Sequence, residues 1–132
     1  MSQTRFLEEC DRISHGVDAV QYERLRWSKV EGPMLARLVE LAKATMAERD
    51  DFELVEEGAT SDVKRFVLKV HSTRVVGLVV WLDQGHALVQ LEEVGRSRFA
   101  IAPGDPVVAE FSQVDAAWMA AALQALFTRI QF

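Results

Sequence analysis

Residues 75–82, Val75-Val76-Gly77-Leu78-Val79-Val80-Trp81-Leu82, give the strongest indication of the architecture. β-Branched and aromatic residues dominate this stretch, as is typical of strands, and it holds no charged side chain. A strand that is apolar on both faces has to be covered on both sides. The stretch therefore predicts a central strand, at 74–82, of a larger sheet.

The segments around this strand alternate between apolar and polar residues and are divided by short runs of turn residues. In 63–70, Phe66 and Leu68 mark one face while Arg65 and Lys69 mark the other. Connections this short join antiparallel neighbours, because parallel strands need a crossover of a dozen or more residues. The pattern predicts an antiparallel β-meander of about five or six strands, near 52–56, 63–70, 74–82, 86–92, 97–102 and 107–111.

The first third of the chain has helical spacing instead. Phe6, Cys10 and Ile13 recur at intervals of four and three residues, which predicts a helix over 3–14. A weaker pattern predicts a second helix over 18–29. Gly32 and Pro33 then predict a stop and a new start, because proline is well tolerated in the first turn of a helix. The third helix is expected to end near residue 48.

The last segment predicts a long helix from Ser112 to Ile130. Between Ala116 and Phe127 its only polar side chain is Gln124. A helix that is apolar all round has to be buried on more than one side. We expect the sheet to cover one side, and the third helix together with a second subunit of a two-fold dimer to cover the other. The predicted interface residues are Trp118, Met119, Ala122, Leu123, Leu126, Phe127 and Ile130.

These elements predict a single α+β domain spanning 1–132, with N-terminal helices, an antiparallel β-meander and a long C-terminal helix packed on the sheet. A chain of 132 residues is about the size of one domain. Its 49% apolar and 27% charged residues are ordinary for a globular protein that buries a core.

The composition also predicts where the protein works. One cysteine cannot form an intramolecular disulfide, which favours a reducing compartment. The N-terminus has charges where a signal peptide needs an apolar run, and no stretch approaches the ~20 apolar residues that span a bilayer. We therefore expect a cytoplasmic protein without a membrane partner. The net charge of −5 repels polyanions, so a nucleic-acid partner is not expected.

The titratable residues predict no catalytic site, no metal and no cofactor. His71 and His86 lie at opposite ends of one strand, about 30 Å apart, so they cannot share an ion. Cys10 and His15 are five residues apart on a helix and project from different faces. The acidic run 48–57 lacks the glycine and the full ligand series of a calcium loop.

The surplus of apolar surface and the missing chemistry favour a non-enzymatic protein-interaction module. In this hypothesis the protein is a small acidic homodimer that holds a protein partner, as an adaptor or a chaperone-like binder. The alternative is a small-molecule-binding domain, enzymatic or not, of helix-grip-like architecture, with an apolar pocket between the sheet and the C-terminal helix. Its ligand would be oriented by His86, Gln90 or Arg98. A weaker third hypothesis is nucleic-acid binding through Arg65, Lys69 and Arg98.

Overall fold

The structure is a computed structural model that describes residues 2–60 and 62–132. Its elements are α1 (Ser2–Val17), α2 (Ala19–Arg26), α3 (Gly32–Met46), β1 (Phe52–Glu56), β2 (Val63–Val70), β3 (Thr73–Asp83), β4 (His86–Glu92), β5 (Ala100–Ile101), β6 (Val107–Glu110), α4 (Ala116–Phe127) and β7 (Ile130–Gln131). The chain divides into two compact units, one ending at Pro33 and one running from Met34 to Phe132. The single domain over 1–132 stays a prediction. None of the helices in the described part of the chain is long and apolar enough to cross a membrane.

The first unit consists of α1, α2 and a following π-helical turn, Trp27–Glu31. Asp18 separates the two helices, and its Oδ1 accepts a hydrogen bond from the backbone N–H of Gln21 at 3.1 Å. The predicted stop at Gly32 is wrong, because this residue has helical dihedral angles (φ −55°, ψ −53°). A π-helical turn precedes Pro33, which has no N–H to donate to that turn.

The second unit is built on a five-stranded antiparallel sheet with the strand order β1-β2-β3-β4-β6. The predicted α+β class and antiparallel meander are therefore confirmed. β3 lies in the middle of the sheet, and its residues from Val75 to Val80 are all buried. The central position predicted for the strand at 74–82, which is apolar on both faces, is therefore confirmed.

The predicted strand over 97–102 is wrong in extent and in pairing. Only Ala100 and Ile101 are extended, and they pair with β7 in a separate two-stranded sheet. The preceding loop crosses the start of β3, where the Ser97 hydroxyl donates a hydrogen bond to the Val75 carbonyl at 2.5 Å. Because the chain leaves the main sheet here, β4 pairs next with β6.

The core of the second unit lies between one face of the sheet and the helices α3 and α4. Cross-strand rows such as Phe66, Leu78 and Leu91 form the sheet side. α3 lies over β2, where the Lys43 ammonium is 5.5 Å from the Phe66 ring centroid. α3 contributes Leu35, Leu38, Leu41, Ala42 and Met46 to this core, and α4 contributes Met119, Ala122, Leu123 and Leu126.

The C-terminal helix is shorter than predicted, with 12 residues instead of the span from Ser112 to Ile130. Asp115 is its N-cap, because the Asp115 side chain accepts a hydrogen bond from the Trp118 N–H at 2.8 Å. A 3-10 turn, Phe111–Gln113, occupies the predicted first turn. Ile130 lies beyond the helix, in β7, where strand pairing with Ile101 replaces helical bonding.

One stripe of α4 is buried, and the opposite side consists mostly of alanine. Ala120, Ala121 and Ala125 are exposed. Alanine is the best helix former and exposes little apolar surface, so this side needs no second cover for the helix to be stable. The dimer interface predicted on this helix stays a prediction.

Candidate functional site

The three predicted ligand residues do not converge. His86 is exposed at the start of β4, with its Nδ1 3.2 Å from the Gln84 carbonyl. Gln90 lies four residues along the same strand, about 13 Å away. Only Arg98 lines an apolar cavity of the second unit.

The Gln90 amide is occupied by structural hydrogen bonds. Its Nε2 donates to the Gly104 carbonyl at 3.0 Å, while its Oε1 accepts from the Arg129 Nη1 at 3.1 Å and from the Leu91 N–H at 3.1 Å. These bonds connect the end of β4 that extends beyond its pairing with β6 to the loop before β6 and to the segment after α4. Gln90 therefore fixes the position of this loop, and its role as a ligand residue stays a prediction.

The predicted interface residues lie in different surroundings. Met119, Ala122, Leu123 and Leu126 are at most 3% exposed in the single chain. Trp118, Phe127 and Ile130 are half-buried. The first four thus contribute to the core of their own chain, whereas Phe127 and Ile130 also line the apolar cavity.

The apolar cavity has a volume of about 370 Å³ and lies where the sheet, the end of α4 and the β5–β7 pair meet. The β2–β3 hairpin forms one side. Its turn residues His71 and Ser72 have positive φ values of 51° and 63°. A β-bulge precedes this turn, between Leu68 and Lys69, and bulges increase the local twist of the strands. Much of the wall is aromatic, formed by Phe52, Phe99, Phe127 and Phe132.

The β5–β7 pair holds the other side of the cavity. The Ala102 N–H donates to the Arg129 carbonyl at 2.7 Å, next to the pairing of Ile101 with Ile130. This pairing brings the rings of Phe99 and Phe132 together edge to face, with centroids 5.3 Å apart. The cavity wall is therefore held by backbone hydrogen bonds on both sides.

The cavity lining contains the Arg98 guanidinium and no Asp or Glu side chain. The Arg98 guanidinium lies over the Phe99 ring, 5.4 Å from its centroid, and it forms no ion pair within the described ranges 2–60 and 62–132. His71, the second basic residue, has its Nε2 3.7 Å from Asp51. Hydrogen bonds from Arg49 hold the pKa of the Asp51 carboxyl below its ordinary value, against the opposing effect of desolvation. The Arg98 guanidinium therefore leaves a positive charge in the cavity lining.

A second cleft, of about 490 Å³, lies between the end of α3 and α4. Thr45 and Arg49 form one wall, and Gln124 contributes to the other. It shares Phe52 and Phe127 with the apolar cavity. These two rings therefore lie between the two clefts, and both clefts have mainly apolar linings.

One of the three basic residues of the nucleic-acid hypothesis is in an ion pair. Arg65 donates to Glu92 at 2.7 Å, while Lys69 is the register partner of Glu53 on β1. Arg98 belongs to the cavity. The ion pair neutralises Arg65, and a neutralised cation releases few counterions from a nucleic acid. The expectation of no nucleic-acid partner stays a prediction.

The first unit carries a different surface, an apolar stripe on α1 formed by Phe6, Cys10, Ile13 and Val17. Spacings of four, three and four residues place the four side chains on one helix face. All four are exposed, and Phe6, Ile13 and Val17 have exposed fractions of 66%, 57% and 81%. Next to it, a groove of about 400 Å³ runs between α1 and the segment from Tyr22 to Val30.

The histidines and acidic residues form no metal-binding cluster within residues 2–60 and 62–132. His15 packs edge to face against Tyr22, with ring centroids 5.1 Å apart. Cys10 lies in the groove and on the α1 stripe, as the sequence spacing indicates. The absence of a cofactor stays a prediction.

Sequence reasoning missed the aromatic residues of the cavity. Phe52 opens β1, Phe99 precedes β5, Phe127 ends α4 and Phe132 follows β7. Each ring stands at the end of an element, where the periodicity of apolar residues assigns a side chain to no face. The sequence therefore gives no signal that these rings come together. Comparison of the chain with protein-family models, with curated proteins and with solved structures finds no match.

Proposed function

We propose that this chain is a non-enzymatic protein-interaction module, a small acidic homodimer that holds a partner protein as an adaptor or chaperone-like binder. The observation that carries the proposal is the exposed apolar stripe on α1. A monomer rarely leaves a contiguous apolar patch open to water, and such patches mark interaction surfaces. We also keep the cytoplasmic location as part of this proposal.

The unit that carries the stripe supports its use in an interface. All buried apolar side chains of the described residues lie between Leu35 and Leu126, so α1 and α2 contribute none. Isolated helices of about 12–15 residues are marginal in water, and packing of an apolar face supplies most of their stability. A partner that covers the stripe would therefore stabilise α1 directly.

A second copy of the chain is the partner that fits this stripe best. Apolar residues at alternating spacings of four and three form the seam by which helices pack on one another. A two-fold dimer places the same patch of both subunits face to face, so each stripe meets an equally long stripe. Charged residues such as Glu8 and Arg12 lie away from the seam and would stay in water.

The resolved pKa shifts support a non-enzymatic role. In the described chain they belong to Asp51, Glu57 and Arg74, and each is caused first by a hydrogen bond within an ion pair. The carboxyl pKa values are lowered, so these groups stay ionised near neutral pH. Catalytic carboxylates that act as acids or bases are tuned in the other direction, towards neutral pH.

The experiment compares Ile13→Glu with the matched control Thr4→Glu by light scattering over a range of protein concentrations. Both variants add one negative charge to an exposed position of α1, but only Ile13 is on the stripe. We expect a wild-type dimer, an unchanged Thr4→Glu dimer and a monomeric Ile13→Glu variant. A monomeric wild type, or equal behaviour of the two variants, would contradict the α1 interface.

The single cysteine gives a second readout on the unmodified sequence. Spin labels on Cys10 lie on the seam, and packed helices have axes about 8–10 Å apart. We expect a short label-to-label distance in the dimer. A dimer with widely separated labels would place the interface elsewhere, such as on α4.

A further inference from the structure

We infer that the apolar cavity between Phe52, Phe99, Phe127 and the β2–β3 hairpin binds a small monocarboxylate with an apolar body, whose carboxylate is held by Arg98. This inference goes beyond the proposed interaction function, because it concerns the second unit and a small molecule.

The size and lining of the cavity fit such a ligand. Its volume of about 370 Å³ is in the lower part of the ~300–1,000 Å³ range of small-molecule pockets. Such pockets combine an apolar lining with a few polar groups that orient the ligand. Here Phe52, Val75 and Phe127 supply the apolar surface, and Arg98 supplies the polar group.

Phe132 adds an exposed aromatic ring beside the cavity. The residue is 98% exposed, although its ring lies edge to face against the Phe99 ring of the cavity wall. An apolar body in the cavity would cover part of this ring and remove its surface from water. The cavity as it stands leaves this apolar surface uncovered.

The charge of the lining selects an anion. Arg98 contributes a permanent positive charge, and no Asp or Glu side chain is in the cavity wall. A guanidinium binds a carboxylate through two parallel hydrogen bonds. A ligand with an ammonium or a hydroxyl group in place of the carboxylate lacks the two acceptor oxygens that this geometry needs. Asp51, which lies 3.7 Å from His71 of the lining, accepts two hydrogen bonds of 3.0 and 2.9 Å from Arg49.

The first test uses three probes with one apolar body and different head groups: 4-phenylbutyrate, 4-phenylbutan-1-ol and 4-phenylbutylamine. Binding to the full chain is measured by calorimetry and by the methyl signals of the isoleucines in NMR spectra. The sequence has three isoleucines, of which Ile130 lines the cavity and Ile13 is on α1. We expect the carboxylate to bind at least about tenfold more tightly than the other two probes and to shift the Ile130 signal while leaving Ile13 unchanged.

The second test uses two variants and a control. Arg98→Gln is expected to weaken 4-phenylbutyrate about tenfold, whereas Arg96→Gln, an exposed arginine outside the cavity lining, leaves it unchanged. Thr73→Phe, at an exposed lining position, fills the cavity and abolishes binding without lowering the melting temperature. The inference is overturned by a lack of carboxylate binding at millimolar concentration, by equal binding of the amine, or by equal effects of the two arginine variants.

Discussion

Glu92 on β4 is the register partner of Gly77 on β3, and the two residues lie directly opposite each other. A Cβ atom added to Gly77 would be 2.7 Å from the Glu92 Cγ and 3.0 Å from the Val94 Cγ1. Glu92 in turn accepts a hydrogen bond from Arg65 at 2.7 Å, so its side chain bridges β4 and β2 over the strand between them. The close approach of the Glu92 and Val94 side chains thus explains why residue 77, in the middle of the apolar stretch 75–82, is a glycine.

We predict that Gly77→Ala lowers the free energy of unfolding by about 1–3 kcal/mol, as expected for overpacking at a filled site. Urea denaturation followed by circular dichroism measures it. Gly95→Ala is the control, because an added Cβ there meets nothing within 4 Å, and it should be neutral or slightly stabilising. If the clash with Glu92 is the cause, Glu92→Ala restores part of the stability of Gly77→Ala. An additive double variant would contradict this explanation.

The position of Leu123 makes α4 a core helix of the single chain. Leu123 is 1% exposed and Gln124, beside it, is exposed. We predict that Leu123→Ala lowers the free energy of unfolding by about 2–5 kcal/mol, through lost burial and the cavity left behind. Gln124→Ala should change it little. A charged residue at 123 should unfold the unit; a folded Leu123→Glu variant with an unchanged melting temperature would contradict the burial.

The sequence prediction and the structure differ in where α4 begins. The sequence predicts Ser112 as the first residue of the helix, whereas the structure has the cap at Asp115. We predict that Asp115→Ala costs about 1 kcal/mol, because the Trp118 N–H loses its acceptor, while Ser112→Ala is close to neutral. Thermal denaturation of both variants decides between the two starts. A larger loss for Ser112→Ala would favour the longer helix.

The sequence predicts the main strands well and the loops after them poorly. β2 and β4 have the predicted bounds, because alternation with short turns leaves one register that buries Phe66 and Val89. The strand at 97–102 was predicted from its apolar residues alone, whereas its partner, β7, lies about thirty residues further along the chain. Pairing at that separation depends on tertiary packing, which periodicity does not encode.

The candidate site was predicted only through Arg98. Its aromatic wall combines residues from β1, the loop before β5 and the end of α4, which the sequence keeps far apart. Gln90 was predicted as a ligand residue because it is polar on a strand, but the hydrogen bonds to Gly104 and Arg129 give it a structural role. A polar residue on a sheet is equally compatible with both uses until the neighbouring loop is placed.

The ion pair of Glu57 with Arg74 predicts an acid-dependent loss of stability. Arg74 donates hydrogen bonds of 2.9 and 3.1 Å to the two Glu57 oxygens and a third, of 2.9 Å, to the Gly95 carbonyl. The hydrogen bond from Arg74 holds the pKa of the Glu57 carboxyl below its ordinary value, with desolvation opposing it. These hydrogen bonds from Arg74 thus connect the loop after β1 to the loop after β4.

The sign of the effect follows from the lowered folded-state pKa. The contribution of the pair is complete above the unfolded-state pKa of Glu57 and is lost as the pH falls through the lower folded-state pKa. We predict that Glu57→Gln is less stable than the wild type at pH 7. The difference shrinks as the pH falls below the ordinary glutamate pKa of about 4.3 and through the lower folded-state pKa, below which both side chains are uncharged. Glu56→Gln, an exposed neighbour without an ion pair in the described residues, is the control. Melting temperatures between pH 3 and pH 7 measure the effect, and a Glu57→Gln difference that stayed constant with pH would show that the charge of Glu57 does not stabilise the fold.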